Sequence, residues 1–220
     1  MTAALSLSGV LPAAAVPEWT SPLTLEVPDG SFYVMRTTSA RSYALFRLCV
    51  GLTSPGQGHV QVLGTEPATL GRRGAQVFRR ALGVGLLPHG LISNLTLRLN
   101  VVVPLVYGGL YRPDDAARRA DEALSLCGLV AFADHRPADV PPEARQRAVI
   151  ARAVARDPEL LLLEDPVWSI DPGEADALLS LCRSRARTVI VATHRGDEVL
   201  AHHADHAVLW DAHGLSADAA

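Results

Sequence analysis

Leu160–Leu163 (LLLL) and, after a threonine, Val189–Ala192 (VIVA) contain no polar side chain at all. Runs of four wholly apolar residues are too short to span a bilayer. They read as strands buried on both faces, which belong in the middle of a largely parallel sheet. Helical patterns surround them. Pro141 or Pro142 opens EARQRAVIARAVAR, in which Ala148, Ile150, Ala151, Ala153 and Val154 form a buried stripe; Asp157-Pro158 stops it. Gly173–Arg185 follows as another helix, and Ala207–Trp210 as a last short strand. Apolar strands alternating with helices give an α/β chain.

Upstream the elements are shorter. Leu23–Val27 alternates, Pro28-Asp29-Gly30 turns, and Ser31–Arg36 alternates again, which predicts a β-hairpin. Ser42–Leu52 reads as an apolar helix, Gly51–Gly58 as a turn-rich link and His59–Leu63 as a strand. Thr65–Arg80 reads as loop and helix, and Ala81–Leu87 as a buried strand. Asn94-Leu95-Thr96 starts a helix that runs into VVVPLV, and Asp114–Cys127 has helical spacing with a capping aspartate.

Composition removes several functions. All 20 Lys+Arg residues are arginine, so mechanisms that need a lysine in this chain are excluded. The net charge of −3 argues against nucleic-acid binding through bulk charge. Cys49, Cys127 and Cys182 are scattered among apolar neighbours and read as buried thiols in a reducing compartment. The N-terminus has no cation before Arg36 and carries Pro12 and Pro17, so no signal peptide is expected. The expected location is cytoplasmic.

RQRAVIARAVARDPELLLLEDPVWSIDP, at 145–172, resembles the signature-helix and Walker B segment of ATP-binding-cassette (ABC) transporter nucleotide-binding subunits. ALFRLCVGLTSPGQGHVQVLG, ISNLTLRLNVVVPL, TVIVATHRGDEV and ADHAVLW resemble further segments of the same family, in order, from Leu23 to Trp210. The resemblance implies the ABC ATPase fold over 1–220: a mostly parallel core sheet, an antiparallel β sub-domain and an inserted helical sub-domain. Residues 1–87 would hold the antiparallel sheet and first core elements, 88–155 the helical insertion, and 156–220 the rest of the core.

The motifs that hold ATP and magnesium in the family are altered here. The phosphate loop aligns with Arg36-Thr37-Thr38-Ser39-Ala40-Arg41-Ser42-Tyr43-Ala44, which lacks every glycine. Ser42 takes the lysine's place and Tyr43 that of the magnesium-binding hydroxyl; Arg36 and Arg41 read chiefly as loop arginines. Each lost charge-assisted bond is worth about 1.5–3 kcal/mol, which sums to ~5 kcal/mol or more. Tight binding of ATP and Mg2+ is not expected.

The magnesium-sensing glutamine aligns with Leu87 or Pro88, and the signature with Val140-Pro141-Pro142-Glu143-Ala144. The two acids of Walker B are swapped to Glu164-Asp165, while His194 and Asp171 match the family's H-loop and D-loop. Glu164, Asp165 and His194 are read as catalytic remnants and Asp171 as the D-loop position of the nucleotide site, with His194 and Asp171 alternatively strand-end and helix caps. Trp19 is the one substitute for an adenine-stacking aromatic. His202, His203 and His206 space like metal ligands on a helix, yet no further ligand is adjacent, so no metal is expected.

The resemblance thus implies a degenerate cassette subunit that docks on a permease through the groove around 87–105. It would sit beside a second nucleotide-binding subunit, peripheral on the cytoplasmic face of the inner membrane, touching the membrane only through the permease. Small lipid-transport and lipoprotein-release subunits look nearest. An active ATPase with unusual motifs and a free regulatory protein are the alternatives.

Overall fold

The computed structural model describes residues 3–86, 90–107, 109, 111–196 and 198–217. Its strands form two sheets. The smaller is antiparallel, in the order β2-β1-β4, from β1 (Ala3–Pro12), β2 (Leu23–Pro28) and β4 (Pro55–Val62). The larger runs β5-β6-β7-β3-β8-β9, from β3 (Phe32–Arg36), β5 (Leu82–Gly85), β6 (Leu160–Glu164), β7 (Thr188–Thr193), β8 (His206–Asp211) and β9 (Gly214–Ala217). Its first five strands pair in parallel and only β9 is antiparallel.

The two apolar runs lie side by side at the centre, Leu162 opposite Ile190, and every residue of β6 and β7 is buried. The sheet separates two apolar layers. One, with Leu161, Leu163 and Val191, packs against α3 (Leu97–Tyr107), α4 (Pro113–Leu126), α5 (Pro142–Val154) and α6 (Pro172–Arg185). The other, with Leu160, Leu162 and Ile190, faces the antiparallel sheet and α1 (Ser39–Cys49). Two shorter helices, α2 (Arg72–Phe78) and α7 (Glu198–His203), complete the described elements used below.

Several expectations are corrected. Leu23–Val27 and Ser31–Arg36 are not a hairpin: β2 pairs with β1, and β3 sits in the other sheet between β7 and β8. The burial explains it. Leu23, Leu25 and Val27 alternate with exposed residues, as on a one-faced antiparallel strand, whereas Phe32, Tyr33, Val34 and Met35 are all buried. β1 itself was not foreseen. Leu5 and Leu7 keep the two-residue period, but the register shifts before Val10, and that bulge breaks the alternation.

The stretch Gly51–Gly58 is only half turn, since β4 begins at Pro55. Gly58 is required there: at φ +79° a Cβ would lie 2.3 Å from the Gly9 carbonyl oxygen. The N-cap of α4 is Arg112, with Pro113 after it; Asp114 and Asp115 sit in the first turn, where their charge still suits the helix dipole.

Candidate functional site

Parallel strands of one sheet end together, and ligands of open α/β sheets bind beyond those carboxyl ends. Here the ends are Arg36 of β3, Glu164 of β6 and Thr193 of β7. A cavity of about 830 Å³ opens beside them, lined in part by Ser39, Gln146, Glu164, Asp165, Trp168 and His194. A second, of about 710 Å³, lies at the end of β3 against Arg36, Thr38 and Trp210; His194 borders both.

Only Thr37 and Thr38 link β3 to α1, so residues 39–44 are helix rather than loop. Thr37 N–H donates to the Thr193 carbonyl at 2.8 Å, and Ser42 N–H to that of Thr38 at 3.0 Å. The early helix start decides where the side chains point, because each helical residue turns the next by about 100°. Ser42 Oγ donates to Glu164 Oε1 at 2.6 Å, with Glu164 only 3% exposed. Tyr43, expected at the magnesium hydroxyl's place, is instead 47% exposed and bonded to Arg47.

Arg41 is not a loop arginine. It is 2% exposed, donates through Nε and Nη2 to the Glu18 carbonyl and through Nη1 to the Trp210 carbonyl at 2.9 Å, and stacks on the Trp210 ring. Trp19 is likewise corrected as a stacking surface: it is buried, edge-on to Trp210 with ring centroids 4.7 Å apart. Arg36 closes β3 and lines the second cavity; Ser39 starts α1 and lines the first.

Asp165 is the hub of the larger cavity. Its Oδ2 is 2.5 Å from His194 Nδ1, and its Oδ1 accepts from Thr193 Oγ1 at 2.8 Å and from His194 N–H at 3.2 Å. Its φ is +41°, in the left-handed region that aspartate tolerates better than most residues. Gln146 of α5 donates to the Asp165 carbonyl at 2.6 Å and accepts from Ser169 Oγ at 2.5 Å. No motif pointed to Gln146, Thr193 or Ser169. The one available signal was a glutamine on a helix whose pattern buries most of its circumference.

Asp171 caps α6, its Oδ1 accepting from Gly173 N–H at 3.0 Å. Of the signature-aligned residues, Val140 and Ala144 are buried, Pro141 is the N-cap of α5, Glu143 is in its first turn, and Pro142 reaches the cavity. Leu87 and Pro88 lie outside the described residues. The three histidines do not share a helix, because α7 ends at His203 and His206 opens β8. His203 Nε2 meets Asp176 Oδ1 at 2.9 Å, and among the described residues no group of three side chains is placed to hold a metal.

The ABC transporter family model matches residues 44–168. The chain belongs to the ABC transporter family, as an ATP-binding cassette domain.

Among its relatives, the methionine import ATP-binding protein MetN 2 of Burkholderia mallei is 34% identical over 195 residues, covering 86% of this chain and 48% of that protein. The lipoprotein-releasing system ATP-binding protein LolD of Chromohalobacter salexigens is 32% identical over 203 residues, covering 90% and 84%. The cassette thus spans about half the length of the methionine-import relative. The dimeric ATP-binding cassette MJ0796, solved in a post-hydrolysis state with ADP and Pi, superposes with a TM-score of 0.83 at 24% identity, covering 97% of this chain and 98% of that one. The mixed arrangement of a parallel core with a separate antiparallel sheet is therefore the cassette fold.

Proposed function

We propose that this cassette is a pseudo-ATPase: a degenerate nucleotide-binding subunit of a bacterial ABC transporter with a structural or regulatory role. The observation that carries the reading is the Thr37–Thr38 link with Ser42 turned onto Glu164. A phosphate cradle needs successive backbone N–H groups held open by glycine and a lysine across the β and γ phosphates. The chain has no lysine, its corresponding segment is helical, and Arg41 within that helix is spent on two backbone carbonyls. These residues do not fit ATP with Mg2+. A loss of about 5 kcal/mol takes a micromolar dissociation constant into the millimolar range.

The scaffold supports the partnership. In α3, Leu99, Val103 and Val106 are exposed at helical spacing, an apolar stripe for a permease segment around 87–105. Among the described residues no helix is long and apolar enough to cross a membrane, which suits a subunit held peripherally on the cytoplasmic face of the inner membrane. We read 1–220 as one cassette domain with a helical insertion at 88–155, paired with a second, competent nucleotide-binding subunit. The likeness to LolD supports lipid or lipoprotein traffic.

Calorimetric titration of the purified chain with Mg2+ and ATP tests the reading; micromolar, magnesium-dependent affinity would overturn it. The contrary reading, an active ATPase, draws on the close Asp165–His194 pair. It would be established by a folded Asp165→Asn variant that abolishes ATP hydrolysis in the assembled transporter.

A further inference from the structure

We infer that the face formed by α2 and the C-terminal end of α3 contacts anionic phospholipid headgroups directly. The charge of this chain is unevenly placed. Residues 30–113 hold nine arginines and a single acid, Glu66, although the whole carries a net charge of −3. Most of those arginines are committed within the fold. Arg41 binds the Glu18 and Trp210 carbonyls, Arg79 those of Val50 and Gly51, and Arg98 the carboxylates of Asp121 and Asp134. Arg72 and Arg73 are not: both are exposed on α2, and among the described residues neither makes an ion pair.

Positions 72, 73, 76 and 77 share the outer side of α2. Val77 there is 58% exposed. Gln76 Nε2 reaches the Tyr107 carbonyl at 3.5 Å, which brings this side beside Tyr107, 80% exposed at the end of α3. The face therefore presents two unpaired guanidinium groups around an aliphatic and a phenolic tip. Phosphate headgroups take the cations, and tyrosine is a side chain that settles at a membrane–water boundary.

An acidic protein segment would call for a groove. A cavity of about 330 Å³ is lined by Arg79, Pro104 and Arg156, but none of Arg72, Arg73, Val77 and Tyr107 lines it or either cavity at the strand ends. An open cationic surface with short apolar tips suits a fluid layer of phosphates. This replaces the expectation that the chain meets the membrane only through a permease. It does not rest on the loss of nucleotide chemistry, so its failure would leave the pseudo-ATPase reading standing.

The experiment is flotation of the purified full chain with protein-free vesicles, either phosphatidylcholine alone or phosphatidylcholine mixed with phosphatidylglycerol. Binding is expected to the anionic vesicles only, falling as salt rises. At about fivefold per cation, Arg72→Gln together with Arg73→Gln lowers the partition coefficient about twenty-five-fold. Val77→Ser with Tyr107→Ser weakens binding without changing its salt dependence. Arg118→Gln with Arg187→Gln, away from the face, leaves it unchanged. No binding, equal binding to neutral vesicles, or equal loss in the control variant overturns the proposal. So does binding that appears only when a permease is present in the vesicle, which would assign the face to an acidic protein segment. Circular dichroism confirms that the exposed-face variants stay folded.

Discussion

Ser42 Oγ and Glu164 Oε1, 122 residues apart in sequence, are joined by a buried 2.6 Å hydrogen bond. It connects the first turn of α1 to the end of β6. Removing the hydroxyl leaves a buried carboxylate oxygen without this donor, a cost of about 1–3 kcal/mol. Ser42→Ala is therefore expected to lower the urea midpoint of unfolding. Unchanged stability would show that the bond contributes nothing net.

Asp165 separates a structural role from a chemical one. Its side chain accepts three bonds from Thr193 and His194. Asp165→Ala should destabilise by about 2–4 kcal/mol, and Asp165→Asn by less. In an assembled transporter that remains folded, Glu164→Gln, Asp165→Asn and His194→Ala should each keep ATP hydrolysis within about threefold, a change below ~1 kcal/mol. Side-by-side denaturation curves and turnover rates measure the two effects separately.

Arg41→Met keeps a long apolar side chain but loses the bonds to Glu18 and Trp210. The Glu18 carbonyl loses the Arg41 donors, the Trp210 carbonyl keeps only Thr37 Oγ1 at 3.0 Å, and one stacking contact goes, which together predict a loss of about 2–3 kcal/mol by chemical denaturation, with indole fluorescence shifting as the Trp19–Trp210 pair loosens. A variant as stable as the parent would contradict the structural role.

Acid should act through Asp205. The Arg183 guanidinium bonded to it, helped by the Phe32 N–H, holds its carboxyl below the ordinary carboxylate range. The folded form binds the proton less readily than the unfolded chain. This contribution is complete above the ordinary pKa of about 4 and is lost as pH falls through the lower folded value. Melting temperatures of Asp205→Asn should lie below the parent's at neutral pH and converge with it in acid. Parallel curves would remove the linkage.

Burial pushes the thiols of Cys49 and Cys127 up to about 12, and that of Cys182 up as well. All three are free and buried. A thiol-specific disulfide reagent at mildly alkaline pH should therefore react with none of them in the folded chain and with all three in urea. Rapid reaction of even one thiol in the native state would contradict the burial.

Some of this was legible in the sequence for a clear reason. β6 and β7 announce themselves because a strand buried on both faces tolerates no polar residue. β1 did not, because its bulge ahead of Val10 breaks the period on which strand reading depends. β2 and β3 were recognised as strands, but their sheet was not, since a turn-like Pro28-Asp29-Gly30 fits a passage between sheets as well as a hairpin. At the site, motif spacing brought Glu164, Asp165 and His194 to notice. Counting residues could not say whether Ser42 or Tyr43 would face Glu164, because that depends on where the helix starts and so on its rotation. Gln146 carried no motif and became visible only once α5 lay over β6.

Arg41 has a consequence of another kind. Its guanidinium holds Glu18, ahead of β2, and Trp210, in the penultimate strand, in one grip. The segment ahead of β2 and the strand β8 are clasped by one side chain, 23 residues from the first and 169 from the second. Damage at either end should therefore be felt at the other. Clipping within β8 would free the Glu18 segment, and cutting near Glu18 would slacken the strand that bears Trp210. A residue that could have drawn a phosphate acts instead as a buckle.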